Sequence, residues 1–219
     1  MKRIITNFIL ILYIYPIIGC KKIEIDSPIL DSNSYINDFE LLQENSQNHN
    51  SIRIRSPKAI IYPENNDIEI FDSTIYILSE VGQDVEIKSG KSNLNNSTKL
   101  INVYNNVLIS LLNSNNYFIK TNSFNWNLNN SNIDLNSPLN INFDDTRIKS
   151  SNGSYDIDSS LLKINNNVFN RSIFNIDGEE QYNVEIISDK ATWFNHNNSI
   201  KFTSDDKQVE TTINILTIK

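Results

Sequence analysis

Residues 119–141, IKTNSFNWNLNNSNIDLNSPLNI, decide the fold, because their apolar residues stand in pairs two positions apart. Two such pairs are Ile133/Leu135 and Leu139/Ile141. Side chains two apart on a β-strand point to the same face of a sheet, so each pair is typical of a half-buried strand. Turn-forming residues lie between the pairs, as in Asn136-Ser137-Pro138. The stretch therefore predicts short antiparallel strands joined by polar turns.

The same skeleton recurs along the chain. An Ile is followed seven positions later by a large apolar residue: Ile87 to Leu94, Ile119 to Trp126, Ile148 to Tyr155, and Ile186 to Trp193. Seven and nine positions further on stand apolar pairs: Ile101/Val103, Ile133/Leu135, Leu162/Ile164, and Ile200/Phe202. Thirteen and fifteen positions after the large residue a further apolar pair is expected, and the third unit keeps only Val168 of it. With a partial unit around Tyr62, the chain contains five related turns of about 30 residues, as in stacked architectures.

Clusters of Asn, Asp and Ser separate the apolar positions: Asn95-Asn96-Ser97, Asn105-Asn106, Asn129-Asn130-Ser131, Asn136-Ser137-Pro138, Asp158-Ser159-Ser160, and Asn165-Asn166-Asn167. Asn and Asp tolerate turn conformations, so each cluster predicts a chain reversal. No window after residue 50 shows a helical stripe. The sequence therefore predicts an all-β fold of about five stacked antiparallel repeats.

Such a stack has one apolar inner face. The candidates for it are Ile87, Ile101, Val103, Ile109, Ile119, Trp126, Ile133, Leu135, Ile141, Ile148, Leu162, Ile164, Trp193 and Phe202. The two tryptophans are either ordinary core aromatics or part of a ligand-binding trough, and their equivalent repeat positions favour packing. Gly153 precedes Tyr155 as Ala191 precedes Trp193, which predicts close backbone approach at that position.

The N-terminus has the layout of a secretory signal. Met1-Lys2-Arg3 is positive, and the apolar run Ile4 to Ile18 is about 15 residues long, shorter than the roughly 20 of a spanning helix. Residues 1–19 are therefore predicted to be the signal peptide. Residues 20–50 are polar and patternless and are predicted to be a flexible tether, which leaves 51–219 as the folded domain.

Ile17-Ile18-Gly19-Cys20 resembles the bacterial lipobox. The resemblance implies cleavage before Cys20 and a thioether-linked diacylglycerol on its sulfur, and two or three acyl chains give a stable membrane anchor. Cys20 is the only cysteine, so the monomer can form no intramolecular disulfide. The alternative is an uncleaved anchor in which Cys20 is incidental.

Charge and chemistry narrow the function classes. The net charge of -7, about -9 without the signal, and the lack of a basic stripe argue against nucleic acid as a partner. His49 and His196 have no metal-ligand spacing. The acidic pairs Asp144-Asp145 and Asp205-Asp206 are expected to be solvated turn residues. The sequence thus predicts no catalytic residue, no metal and no cofactor.

The C-terminal stretch, residues 211–219, alternates Ile213 and Ile215 with polar residues. Unpaired strand edges recruit other strands, so this edge is a candidate for binding a partner by strand addition. The alternative is that the stretch simply closes the sheet.

The repeat, with Ser56 to Tyr62 at its start and Ile70-Phe71-Asp72 in its first turn, resembles LptC and the related OstA-type domains of the lipopolysaccharide transport bridge. Leu161 to Val168 is typical of the family's later repeats. The resemblance covers roughly residues 51 to 219. It implies a twisted, V-shaped β-jellyroll whose apolar trough holds the acyl chains of lipid A, while the sugars and phosphates stay in water.

The resemblance also implies a role and a place. Family members accept lipopolysaccharide from an inner-membrane ABC transporter and pass it to a periplasmic OstA-like bridge protein. LptC proteins commonly keep a transmembrane helix, which a lipidated Cys20 would replace here, most simply at the inner membrane. Two other function classes compete: a non-catalytic structural or adhesive envelope lipoprotein with a filled β core, and a carbohydrate-active enzyme on a β-solenoid. The enzyme would need clustered carboxylates, which the sequence lacks.

Overall fold

The computed structural model describes residues 33–44, 51–79, 82–112, 117–174, 180–194, 199–205 and 208–217. The predicted signal peptide and Cys20 lie outside these ranges. Across them the chain forms fourteen β-strands: β1 Ser34–Glu44, β2 Ser51–Tyr62, β3 Asp67–Ser79, β4 Gly82–Asn95, β5 Leu100–Leu111, β6 Tyr117–Asn127, β7 Asn132–Leu135, β8 Leu139–Phe143, β9 Thr146–Ser150, β10 Asn152–Asp156, β11 Leu161–Phe174, β12 Glu180–Phe194, β13 Ser199–Thr203 and β14 Glu210–Thr217. No helix that could cross a membrane occurs in these ranges.

All fourteen strands belong to one antiparallel sheet, and most of them pair with their neighbours in sequence. Three pairs of short strands replace single long ones. β7 and β8 lie end to end along β6, β9 and β10 both pair with β11, and β13 and β14 both pair with β12. The sheet is therefore a stack of eleven rungs. The predicted all-β, stacked antiparallel jellyroll is confirmed.

Each rung bends near its middle at a corner, where the ladder between strands is interrupted. In β4 the corner is Gly90, which lies between the buried side chains of Ile87 and Leu94. On a straight strand an odd spacing would put these two side chains on opposite faces. One extra residue at the corner bends the strand as a β-bulge does, and both side chains then face inward. The recurrent seven-residue spacing of the sequence is the mark of this corner.

Corners account for some of the predicted chain reversals. Asn105 and Asn106 have φ values of 67° and 56°, and Asn166 has a φ of 49°, and all three lie within continuous strands. Asn tolerates this left-handed backbone region better than most residues, whether the chain reverses or only bends. Predicting reversals at Asn105-Asn106 and Asn165-Asn166-Asn167 was therefore wrong. The reversal predicted at Asn136-Ser137-Pro138 was also wrong, because β7 before it and β8 after it both pair antiparallel with β6. The corner at Asn166 also shifts the register, so that Phe169 and not Val168 faces the core.

A line of buried polar side chains follows the corners across the sheet. Its members are Ser56, Ser73, Ser89, Ser92, Thr121, Ser150, Asn167 and Ser188. Several hydroxyls donate to the carbonyl oxygen two residues ahead, as Ser150 does to Asn152 at 2.8 Å and Ser188 to Lys190 at 3.0 Å. These bonds satisfy backbone carbonyls that the interrupted ladder leaves unpaired. The corners are thus both bent and internally hydrogen-bonded.

Strand β1 corrects the predicted tether, because Ser34–Glu44 pairs with β2 along nearly its whole length. Phe39 is buried, and Ile36 and Leu41 pack against the core. Asp38, with a φ of 52°, is the corner of this rung and breaks the period-two spacing between Ile36 and Phe39. The apolar pattern was therefore hidden in the sequence. The folded unit begins before residue 51.

The corners divide the sheet into two halves that share one interior. Half-sheet 1 contributes the inner residues Ile54, Ile87, Ile119, Ile148 and Phe169, and half-sheet 2 contributes Ile70, Leu94, Trp126, Tyr155 and Trp193. All of them belong to a single core cluster. Since neither half could bury its apolar face alone, packing of the two faces against each other is the main stabilising interaction of the fold.

Candidate functional site

The predicted inner face is the interior between the two half-sheets. Thirteen of the fourteen candidates are at most 2% exposed: Ile87, Ile101, Val103, Ile109, Ile119, Trp126, Ile133, Leu135, Ile141, Ile148, Leu162, Ile164 and Trp193. Phe202 is half-buried against the same core. Their inward direction is confirmed. That they bind lipid stays a prediction, because packed core residues would be buried in the same way.

Aromatic side chains close the interior along the middle strands. Trp193 of half-sheet 2 contacts Tyr117 and Phe143 of half-sheet 1, with ring centroids 4.9 and 4.7 Å apart. Trp126 is also buried, and its indole Nε1 donates a hydrogen bond to the carbonyl oxygen of Asn130 at 2.9 Å. Both tryptophans are therefore packed core residues in this structure, and Trp193 joins the two half-sheets.

Tyr155 and Gly153 belong to the same closed region. Burial raises the pKa of the Tyr155 hydroxyl, and the negative charge of Asp84 on the other half-sheet adds to the rise. A β-carbon on Gly153 would collide with the carbonyl oxygen of Lys163 and would lie 3.0 Å from Cγ2 of Ile164. The predicted close backbone approach at Gly153 is confirmed. The middle of the interior thus has no room for an added side chain.

At the C-terminal end of the sheet the described residues do not close the interior. There the inner face continues over β11 to β14 onto a surface we call the open end, formed by Phe169, Ile173, Val184, Ile186, Phe202 and Ile213. Ile173 is 42% exposed and Ile213 59% exposed, and Val184 and Ile186 are half-buried. Phe169 and Phe202 meet edge to face, with centroids 5.3 Å apart, at the boundary with the core. Exposed apolar residues grouped on one face form a candidate binding surface.

The two residues of the predicted partner edge lie in β14. Ile213 pairs with Val184 and Ile215 with Tyr182. Among the described strands, β14 pairs only with β12, so its second edge meets no strand there. This position is compatible with both interpretations of the stretch, and partner binding at this edge stays a prediction.

Sequence analysis missed most of the open end. Phe169, Ile173 and Val184 were not among the candidates, although Val184 and Ile186 have the period-two spacing of an inward-facing pair. The corner at Asn166 obscured Phe169 and Ile173, because it moves the inward positions from even to odd numbers. The repeat could have revealed these residues if it had been continued past Asn166 with one extra residue at the corner.

Within the described ranges, no three side chains of His, Cys, Asp and Glu come together as metal ligands. Asp144 and Asp145 form an exposed turn between β8 and β9. His49, His196 and Asp206 lie outside the described residues.

Comparison with known proteins gives three findings. A family model described as "Lipopolysaccharide-assembly, LptC-related" matches residues 9–171. No curated protein matches the sequence. Eleven chains of solved structures resemble this structure. One is LptH, described as the LptA-homologous periplasmic component of the lipopolysaccharide transport device of Pseudomonas aeruginosa, with 8% identity over 74% of this chain and 94% of LptH and a TM-score of 0.39.

The family match carries the assignment, because it spans more than half of the sequence and includes strands β1 to β10. The chain therefore belongs to the LptC-related family of lipopolysaccharide-assembly proteins.

Proposed function

We propose that this protein is a membrane-anchored periplasmic lipid carrier. It accepts lipopolysaccharide through its acyl chains from an inner-membrane ABC transporter and passes it to a periplasmic bridge protein of the same fold, without catalysing a reaction. One observation carries the proposal: an apolar interior that is closed along the middle strands continues onto an uncovered apolar surface at the open end.

Acyl chains gain free energy by leaving water for apolar surface, at about 25 cal/mol per Å² buried. The open end offers such surface in Ile173, Val184 and Ile213 without disturbing the packed core. Deeper entry requires the two half-sheets to separate where Trp193 contacts Tyr117 and Phe143. The open end is therefore the first contact site for lipid in this proposal, and the aromatic contacts form the barrier to the interior.

The anchor is the second part of the proposal. The lipidated Cys20 holds the domain at the inner membrane, in place of the transmembrane helix that LptC proteins commonly keep. The edge of β14, beside the open end, is the proposed docking position for the bridge protein.

A photocrosslinking amino acid at Ile186 tests the carrier function in cells. Ile187 is the matched control, because it is the same residue type on the same strand but faces the opposite side of the sheet. We expect capture of lipopolysaccharide at position 186 and little at 187, although Ile187 is 42% exposed. Equal capture at both positions, or none at 186, contradicts the proposal.

The anchor is tested separately with Cys20→Ala. Loss of the thioether leaves no lipid on the chain, and we expect the protein to lose incorporation of radiolabelled fatty acid and to shift toward the soluble periplasmic fraction. Full membrane retention of the variant contradicts lipid anchoring. It does not bear on the carrier function, which the crosslinking at Ile186 measures.

A structural or adhesive envelope protein is the second candidate function. The observation that favours it is the tight burial of the thirteen inner residues, which describes a filled core. The two candidates differ in whether the open end contacts lipid. Crosslinks at Ile186 that join only neighbouring strands or another protein would favour the structural role.

A further inference from the structure

The inner face of the sheet is almost entirely uncharged. Among the inward-facing side chains of β11, β12 and β14 that the structure describes, only Arg171 of β11 carries a charge. Its direction follows from its neighbours: it pairs with the buried Thr146 of β9 on one side and with Val184 of β12 on the other. A charged residue on an otherwise apolar inner face is costly unless it meets a partner or water.

Arg171 lies within the open end. Along β11 it stands between Phe169 and Ile173, and in the next strands the same row continues through Val184 to Ile213. Its side chain is exposed, and none of the ion pairs between described residues includes it. A single guanidinium thus stands in the middle of an uncovered apolar surface.

This arrangement matches an amphiphile that has an anionic head and apolar tails. Arginine binds phosphate through two parallel hydrogen bonds, and such charge-assisted bonds are stronger than neutral ones. Ile173 on the same strand and Val184 on the next strand flank the charge, and Ile213 lies one strand beyond Val184, so all three supply surface for acyl chains. A partner with no negative charge would leave the guanidinium covered and unpaired, which disfavours a purely apolar occupant.

We propose that Arg171 binds a phosphate group of the glycolipid whose acyl chains lie against the open end. The inference rests on the proposed carrier function and adds to it a recognition site for the phosphorylated headgroup. Arg171 therefore distinguishes phosphorylated from unphosphorylated lipid, whereas the apolar residues around it do not.

The test uses the full chain, purified in detergent, with the photocrosslinking residue at Ile186. It is titrated with bisphosphorylated lipid A and with the same lipid A after enzymatic removal of its phosphates. In wild type we expect tighter binding of the phosphorylated form. Arg171→Ala should weaken binding of that form by about ten- to a hundredfold, the range for one charge-assisted hydrogen-bonded contact, and leave the dephosphorylated form unchanged. Arg171→Lys should lie between the two, because it keeps the charge but not the paired hydrogen bonds.

Arg147→Ala is the matched control. Arg147 is an exposed arginine on the adjacent strand β9, where it pairs with Asn170 and faces the outer side of the sheet. Its removal should leave binding of both lipids unchanged. Circular dichroism and thermal unfolding check that each variant keeps the fold, as expected for exposed positions.

Each other outcome overturns the inference. If Arg171→Ala weakens both lipids equally or weakens neither, the residue does not recognise phosphate, while the carrier function stands. If wild type captures neither lipid, the carrier function fails and the phosphate site fails with it.

Discussion

The middle strands and the last strands of the sheet share one apolar pattern but differ in burial. Ile109 and Ile119 of β5 and β6 have paired strands on both sides and a facing half-sheet, and both are at most 2% exposed. Ile213 also faces inward, in the row that passes through Val184 and Arg171 to Thr146, and it is 59% exposed, because β14 pairs only with β12 among the described strands. Burial of an inward residue is thus set by its neighbours and not by its own sequence.

This difference separates stability from function along one face of the sheet. Residues in the closed middle hold the two half-sheets together, and residues at the open end are available for a ligand. The corner residues do not follow the division, because Asn167 and Ser188 are buried at the open end as their counterparts are in the middle. The open end is therefore bent at its corners as the middle is, and it differs in that no other described element covers its inward side chains.

Truncating a large inner residue gives the largest expected effect. Trp126→Ala removes a 1% exposed indole and its hydrogen bond to Asn130, and we expect the free energy of unfolding to fall by about 3–5 kcal/mol. Ile213→Ala at the open end should change it by less than about 0.5 kcal/mol. Urea unfolding followed by circular dichroism measures both. A large loss for Ile213→Ala would show that the open end is covered in solution.

Gly153→Ala tests how closely the middle is packed. The new β-carbon would meet the backbone of Lys163 and also lie 3.2 Å from Cδ1 of Leu139, and the backbone cannot easily move aside. We expect a loss of about 1–3 kcal/mol in the free energy of unfolding, typical of overpacking. Gly90→Ala is the control, since its nearest neighbours are the Cβ and carbonyl oxygen of Asn105 at 3.2 and 3.3 Å. Equal losses at both glycines would contradict the special role of Gly153.

Two corner hydroxyls compare the middle with the end directly. Ser73 shares hydrogen bonds of 2.7 Å with Ser89 and Ser92, and Ser188 donates to Asn167 at 3.1 Å. Replacing either serine by alanine should lower the free energy of unfolding by about 1 kcal/mol, the contribution of a buried hydrogen bond. Thermal and urea unfolding measure the two variants side by side. If Ser188→Ala left the free energy of unfolding unchanged, the corner hydrogen bonds at the open end would not contribute to stability as those in the middle do.

The inner face could be predicted from the sequence because it depends on local spacing. Pairs such as Ile101/Val103 and Ile133/Leu135 point inward wherever the strand lies in the stack, so their direction required no knowledge of tertiary contacts. The stacking of rungs followed from the repeat. Gly153 was found in the same way, by comparison with Ala191 at the equivalent position.

The corners and the open end could not be predicted for two physical reasons. Asn105 and Asn166 adopt positive φ values that occur in reversals and in bulges alike, so composition alone cannot separate the two. Asp38 hides β1 by the same mechanism, since its extra residue breaks the period. The open end exists because no other described element covers it, and no local sequence pattern predicts this. That Arg171 faces inward could be recognised only from its pairing with Thr146 and Val184 in the structure.

The smallest expected effect concerns charge on the outer surface of the closed region. Glu69 accepts hydrogen bonds from Lys91 and from the Tyr62 hydroxyl, the latter at 3.1 Å, and the bond from Lys91 is the main cause that lowers the pKa of Glu69. A carboxyl whose pKa is lower in the folded state stabilises the fold above its unfolded pKa of about 4.3, and this contribution is lost as pH falls through the folded pKa. Glu69→Gln should therefore reduce stability at neutral pH by about 1 kcal/mol or less and flatten the acid limb of the stability curve below about pH 4.

Asp205→Asn is the control near the open end, because Asp205 pairs with Lys190 at 2.6 Å but is 61% exposed, and exposed pairs contribute little. Urea unfolding between pH 2 and pH 7 separates the two variants, and a flattened limb for Asp205→Asn in place of Glu69→Gln would show that the end of the sheet, and not its closed middle, is the acid-sensitive part of the fold.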